Sequence, residues 1–177
     1  MATFTDRMLG AAKLDARIYE EVEADTTATG QAASVVALAS VAGGIGSLGL
    51  GTASVGVFLI GAVASLVSWV IWAFLTYIIG TRLLPQPHTR ANMGEMLRTL
   101  GFAQAPGLAR VLGVVPGLGT LIQAVVSLWM LAAMVVAVRQ ALDYSSTGRA
   151  VLVCLVGWLV AIVIPGLLLL SLGFRGA

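Results

Sequence analysis

Three stretches of the chain carry no Asp, Glu, Lys or Arg: 26–81, 111–138 and 150–174. A membrane-crossing helix needs only about 20 predominantly apolar residues, so the first stretch has room for two crossings and each of the others for one. The uncharged run Gly49-Leu50-Gly51-Thr52 reads as a turn on the non-cytosolic face, dividing the first stretch into spans over 29–48 and 54–79. The fourth and fifth spans, 121–138 and 150–170, are long Leu, Ile and Val runs. Between these pairs, a short helix is predicted from about Asn92 and a third span over 97–115, interrupted by Gly101, Pro106, Gly107, Arg110 and Gly113 and followed by Pro116. Its apolar residues contribute about −0.3 to −0.6 kcal/mol each and a central Arg costs about 2.5 to 3.5 kcal/mol, so it inserts only with help from its neighbours.

Ahead of the spans, Phe4, Met8, Ala11, Leu14, Ile18 and Val22 recur every three or four residues, with Arg7, Lys13, Arg17, Glu20 and Glu21 between them. That spacing predicts one amphipathic helix, lying in the membrane interface or covering the inner mouth of the bundle. Its acidic end, Glu20 to Asp25, argues against simple attraction to anionic headgroups. No secretory-signal pattern precedes it, so the first span is read as retained. The fold class is therefore all-α: a polytopic transmembrane helical bundle of about five spans, with an amphipathic interfacial lead over 1–28 and a membrane domain over 29–177.

Composition agrees with this reading: 59% of the residues are apolar and 10% charged, against about 45–50% and about 25% in soluble domains. A net charge of +2 is too slight to drive nucleic-acid binding. With five spans and a cytosolic N terminus, Arg7, Lys13, Arg17, Arg82, Arg90, Arg98, Arg139 and Arg149 share one side and Arg175 stands alone on the other. A third segment that re-enters and leaves on the same face would move Arg139 and Arg149 outside, a poorer fit.

The spans contain no Asp, Glu or His, so neither a catalytic residue nor a metal or cofactor ligand is expected. His88 stands in a proline-rich loop with no second ligand nearby, and Cys154 between Val153 and Leu155 reads as a buried small hydrophobe. Gly44-Ile45-Gly46-Ser47-Leu48-Gly49 has the glycine spacing of a dinucleotide fingerprint without its strand or following acidic residue, and reads instead as a helix end that permits tight packing. Gly61, Ser65 and Ser68 form a small-residue stripe suited to helix contact, and Trp69, Trp72 and Tyr77 lie toward the inner half of their span. Arg110 is the one charged residue in the interior of a span. A turn near Pro116-Gly117 sets it level with Gln123, predicting a guanidinium that donates to the Gln123 carbonyl and to backbone oxygens freed by Pro106 and Pro116. Structural glue and a substrate or lipid-headgroup site are its two readings.

Leu97-Arg98-Thr99-Leu100-Gly101-Phe102-Ala103-Gln104-Ala105-Pro106, continuing through Val115-Pro116-Gly117-Leu118-Gly119 to Trp129 and Ala137-Val138-Arg139-Gln140-Ala141-Leu142, resembles the core of the Yip1 family in its bacterial form. Arg17-Ile18-Tyr19-Glu20-Glu21-Val22-Glu23-Ala24-Asp25 is similar to that group's N-terminal segment. The resemblance implies a multi-pass membrane protein of about five helices with a cytosolic N terminus and no catalysis. Eukaryotic relatives act in vesicle traffic and bind prenylated small GTPases; the short lead and the missing Asp-Leu-Tyr-Gly-Pro motif argue against GTPase binding here. One lysine against nine arginines fits a GC-rich prokaryotic coding bias, and hence a cytoplasmic membrane.

Two functions follow as expectations. The first is a non-enzymatic membrane-organising or adaptor protein, contacting other membrane proteins or a second copy of itself through Tyr19, Glu20, Glu21, Arg82, Arg90 and Arg98. The rival is a small transporter or channel built on the helix breaks Gly101, Pro106, Gly113 and Pro116 with Arg110.

Overall fold

The computed structural model describes residues 2–48 and 55–173, with side chains throughout except at 55–59 and 164–173. The described residues form helices, turns and loops without a strand. The turn at 49–52 and Arg175 lie outside them.

The lead is amphipathic and helical, but it is two helices, α1 (Phe4–Ala12) and α2 (Ala16–Ala24). Leu14 adopts a left-handed backbone, φ 62°, and Asp15 caps α2 by accepting from the Arg17 amide. The break lets the apolar residues of both helices turn toward one bundle instead of lying along one straight stripe. Tyr19 then donates to the Ala11 carbonyl at 3.1 Å, and Trp129 of the bundle donates to the Ala12 carbonyl at 2.7 Å, taking up an acceptor left free at the end of α1.

Helix α3 (Thr29–Leu48) follows a 3-10 turn at Thr26–Ala28. Helix α4 (Val55–Ile78) ends in a π turn, Ile79–Leu83. After an exposed loop, α5 (Met93–Phe102) starts from a capping box in which Asn92 and Glu95 satisfy each other's backbone amides. A 3-10 segment, Ala105–Val114, continues from it. Helices α6 (Gly119–Ala141) and α7 (Thr147–Gly173) complete the bundle. Thr26–Leu48, Ile60–Leu83 and Gly119–Ala141 are each long and apolar enough to cross a membrane, and Thr147–Val163 is a shorter apolar stretch. Ile60, Val63, Leu128, Leu155 and Ile162 are among the many apolar side chains left exposed, an outer surface that suits lipid and not water.

The segment labelled the third crossing after its prediction, 93–114, departs from the predicted 97–115 helix. The short helix expected from Asn92 and the start of that span are one element, α5, and beyond Phe102 the chain winds into the 3-10 form. Pro106 lacks an amide hydrogen and its ring clashes with an α-helical preceding turn, so the chain tightens to i, i+3 bonding, which keeps the backbone satisfied in apolar surroundings. Ten residues of α-helix and ten of 3-10 helix rise about 35 Å together, comparable with the roughly 30 Å hydrocarbon core. In a 3-10 helix, residues three apart share a face, which aligns Gly107, Arg110 and Gly113. That face lies along α3: Gly101 meets Ala32, Gly107 meets Ala39, and Gly113 meets Gly46. The segment thus runs parallel to α3 for its whole length. Pro116 and Gly117, whose φ of 82° suits glycine, turn the chain back into α6.

Candidate functional site

The arginine-rich end of the bundle is closed by polar bonds between helices. Arg7 on α1 is buried and donates to Glu21 at 2.9 Å and to Gln31 at 3.0 Å, and pairs with Asp25 at 2.8 Å. Arg98 on α5 is also buried, and its Nε donates to the Val22 and Glu23 carbonyls at 3.0 Å, while its Nη2 also bonds the Glu23 carbonyl. It thereby occupies acceptors at the C-terminal end of α2. The buried Tyr144 hydroxyl lies 2.9 Å from the Gly80 carbonyl and 2.7 Å from the Leu84 carbonyl, sharing one proton between two acceptors at the π turn. Arg149 donates to the Pro85 carbonyl and Ser145 to Gln86.

These contacts correct two of the expected partner residues. Tyr19 has no exposed surface and Arg98 is 5% exposed, so neither presents a side chain to a partner; both fasten the lead onto the bundle. Burial pushes the Tyr19 phenol above its ordinary pKa. Glu21 is half-buried and committed to Arg7. Glu20, Arg82 and Arg90 are exposed, as is His88, and Glu20 accepts from Gln140 at 2.9 Å. Beside them Glu23 sits half-buried. Desolvation, then the nearby Asp143, Glu95 and Glu20 carboxylates, raise its pKa to about 7.

Toward the other end lies a cavity of about 470 Å³, walled by α3, α4, the third crossing, α6 and α7. Its polar lining comes from Ser40, Ser65, Ser68, Gln104 and Arg110, and its apolar lining includes Trp69, Trp72, Leu100, Met134 and Trp158. Ser65 donates to Ser40 at 3.2 Å, linking α4 to α3. Trp69 is buried and donates to the Leu97 carbonyl at 3.0 Å, making it a core residue. Trp72 packs on Gly157 of α7, and its Nε1 is buried without a partner among the described residues. A β-carbon on Gly61 would meet nothing within 4 Å among the described residues; of the small-residue stripe Ser65 makes a helix contact, while Ser68 lines the cavity.

Arg110 and Gln123 are brought to one level, both beside Gly46, but they are not joined as predicted. A β-carbon at Gly46 would overlap the Arg110 carbonyl oxygen and lie 3.7 Å from Gln123 Nε2. With its carbonyl against α3, Arg110 extends its side chain past Gly43 to the next turn of α6. There Nη2 lies 3.4 Å from Ser127 Oγ, the outer limit of a hydrogen bond. Its Nε is buried and donates to nothing among the described residues. Of the predicted helix breaks, Gly101 lies inside the unbroken α5 and packs on α3, Pro106 and Gly113 are buried in the 3-10 segment, and Pro116 is exposed in the turn. The end of the dinucleotide-like run packs closely, as Gly46 shows; Gly49 lies outside the described residues.

Ser40, Ser68, Gln104, Ser127 and Trp72 were not singled out as a site from sequence. Their only signal was an uncharged polar group inside an apolar run, which ordinary helix packing explains equally well. No group of three or more His, Cys, Asp or Glu able to hold a metal occurs among the described residues.

A family model described as Yip1 domain matches residues 16–168. No curated protein and no solved structure matches the chain.

Proposed function

The chain belongs to the Yip1 domain family and is a membrane protein, and from that premise we propose a non-catalytic, membrane-organising or adaptor role with five crossings and the arginine-rich end in the cytosol. The observation that carries the reading is the closed cap at that end. Buried Arg7 and Arg98 lock the lead helices to α3 and α5, giving a fixed platform from which Glu20, Arg82 and Arg90 stand exposed. A fixed, charged platform on an apolar bundle suits recognition, because little side-chain and loop freedom is left to lose on binding. Other membrane proteins or a second copy of the chain are the partners we propose.

Photo-crosslinking from Arg82 and Arg90 in native membrane tests this, with positions 19 and 98 as buried controls. Reproducible adducts from the first pair alone are expected; equal, diffuse labelling from all four positions would overturn it. Arg110 and the broken third crossing favour transport as the second reading. Solute flux in proteoliposomes that Arg110→Ala abolishes would establish it in place of the first. Labelling of a cysteine at position 90 from the cytosolic side only, in a Cys154→Ala background, tests the orientation.

A further inference from the structure

We infer that the cavity beside Arg110 is a binding site for one anionic phospholipid, drawn from the leaflet at the Gly46 end of the bundle, with its phosphate on the Arg110 guanidinium. The inference does not depend on the adaptor reading.

Three observations carry it. The first is where the cavity opens. Helices α4 and α7 touch where Trp72 and Ile79 meet Gly157, and beyond that contact Ser68 on α4 and Trp158 and Ile162 on α7 are exposed while also lining the cavity. The mouth therefore faces sideways between two crossing helices, toward lipid.

The second is polarity along the cavity. Gly43, Arg110 and the Ser40–Ser65 pair mark the end near Gly46. Trp69, Trp72, Leu100 and Met134 lie farther toward the arginine-rich end. Arg110 stands four residues before the end of its 3-10 segment, about 8 Å along it. A lipid of that leaflet has the same order, phosphate outermost and acyl chain pointing to the midplane.

The third is charge. Arg110 has one long bond and an unpartnered Nε, and no carboxylate lines the cavity. A half-buried guanidinium with a buried, unpartnered Nε and no anion is costly, and its planar fork matches two phosphate oxygens. A zwitterionic headgroup brings its own cation to a site already carrying one, so a headgroup of net negative charge is selected.

Trp69, Trp72 and Trp158 line the cavity and report on it. The full chain is reconstituted in phosphatidylcholine vesicles, and bromine-labelled phosphatidylglycerol or bromine-labelled phosphatidylcholine is titrated in. We expect about tenfold preferential quenching by the anionic lipid, retained in high salt because the pair is shielded from solvent. The preference should fall to about onefold in Arg110→Gln, persist in Arg110→Lys, and persist in the Arg82→Gln/Arg90→Gln double variant, which removes exposed cations from the other end. Soluble glycerol phosphate should not compete, since the site is reached through the bilayer. Equal quenching by the two lipids in the wild-type chain overturns the inference, as does quenching by neither because a second copy covers the mouth. Competition by soluble glycerol phosphate also overturns it. Where Arg110→Gln does not fold, Ala161→Phe, which fills the cavity from α7, must lose the preference; a folded Ala161→Phe that keeps it is equally fatal.

Discussion

At the arginine-rich end, Arg7, Arg98 and Arg149 and the hydroxyls of Tyr19 and Tyr144 each bond across separate elements, whereas at the Gly46 end α3 and the third crossing meet backbone against backbone. The first arrangement is specified by direction: each donor has an acceptor placed for it, and loss of one leaves a buried polar group without a partner. The second is specified by closeness, since dispersion contacts between helices in lipid strengthen as backbones approach. Polar bonds dominate where water competes for the same groups, and contact without side chains dominates where it cannot. Arg110 is the exception, a charged group at the close-packed end with little to bond.

The largest test of this contrast is Gly46→Val. Its β-carbon would overlap the Arg110 carbonyl, which cannot rotate away, and we expect a loss of about 3 kcal/mol or more, read as thermal aggregation of the detergent-solubilised protein. A Gly46→Val protein as stable as wild type would end the argument from closeness. Next is Arg98→Ala, which frees the Val22 and Glu23 carbonyls and should cost about 2 to 3 kcal/mol, accompanied by faster protease cleavage within 1–28. A lead that stays protected would show that α2 is held by apolar contact alone.

Third is pH at Glu23. Its folded pKa of about 7 lies above the ordinary 4.5, so between those values the folded state holds a proton that the unfolded state has lost. Its contribution to stability is full below pH 4.5, declines as pH rises through 7, and is gone above it. Glu23→Gln should therefore gain about 1 to 2 kcal/mol at pH 8, allowing for solvent screening, with the gain vanishing near pH 4.5. Glu21 runs the other way: Arg7 holds its carboxyl below the ordinary range, so its contribution is present above the ordinary value and lost as acid protonates it. A gain that is constant across pH would remove Glu23 from this account. Smallest is Gly61→Ala, where nothing among the described residues lies within 4 Å; we expect a change within about 0.5 kcal/mol in the same melting assay, the counterpart that shows Gly46 is special for its neighbour and not for being glycine.

The sequence made the crossings legible through missing charge, and α3, α4, α6 and α7 follow the apolar runs closely, because in lipid an apolar stretch has little choice but a helix. The third crossing was legible as defective, through Pro106 and its glycines, but not as a 3-10 segment. Pro106 excludes the α form locally, but the face that the tightened segment lays against Ala39 and Gly46 of α3 belongs to a neighbour that local pattern does not contain. The lead misled for a similar reason. Phe4 to Val22 keeps a helical period through Leu14, yet Leu14 is left-handed and the folded-back lead buries Tyr19 and Val22 completely. Arg98 looked like loop charge since its acceptors lie 75 residues away or more. Arg110 was visible as an anomaly, but the serines and tryptophans that share its cavity come from three other helices, and only packing reveals them.

The 3-10 winding of Ala105–Val114 gives that segment more reach per residue than an α-helix. Its ten residues rise about 20 Å as they stand and about 15 Å if rewound as an α-helix. Ten residues so wound cover a depth that an α-helix would need about thirteen to cover. Arg110 is thereby carried farther from Phe102 along α3 than the same number of α-helical residues would carry it.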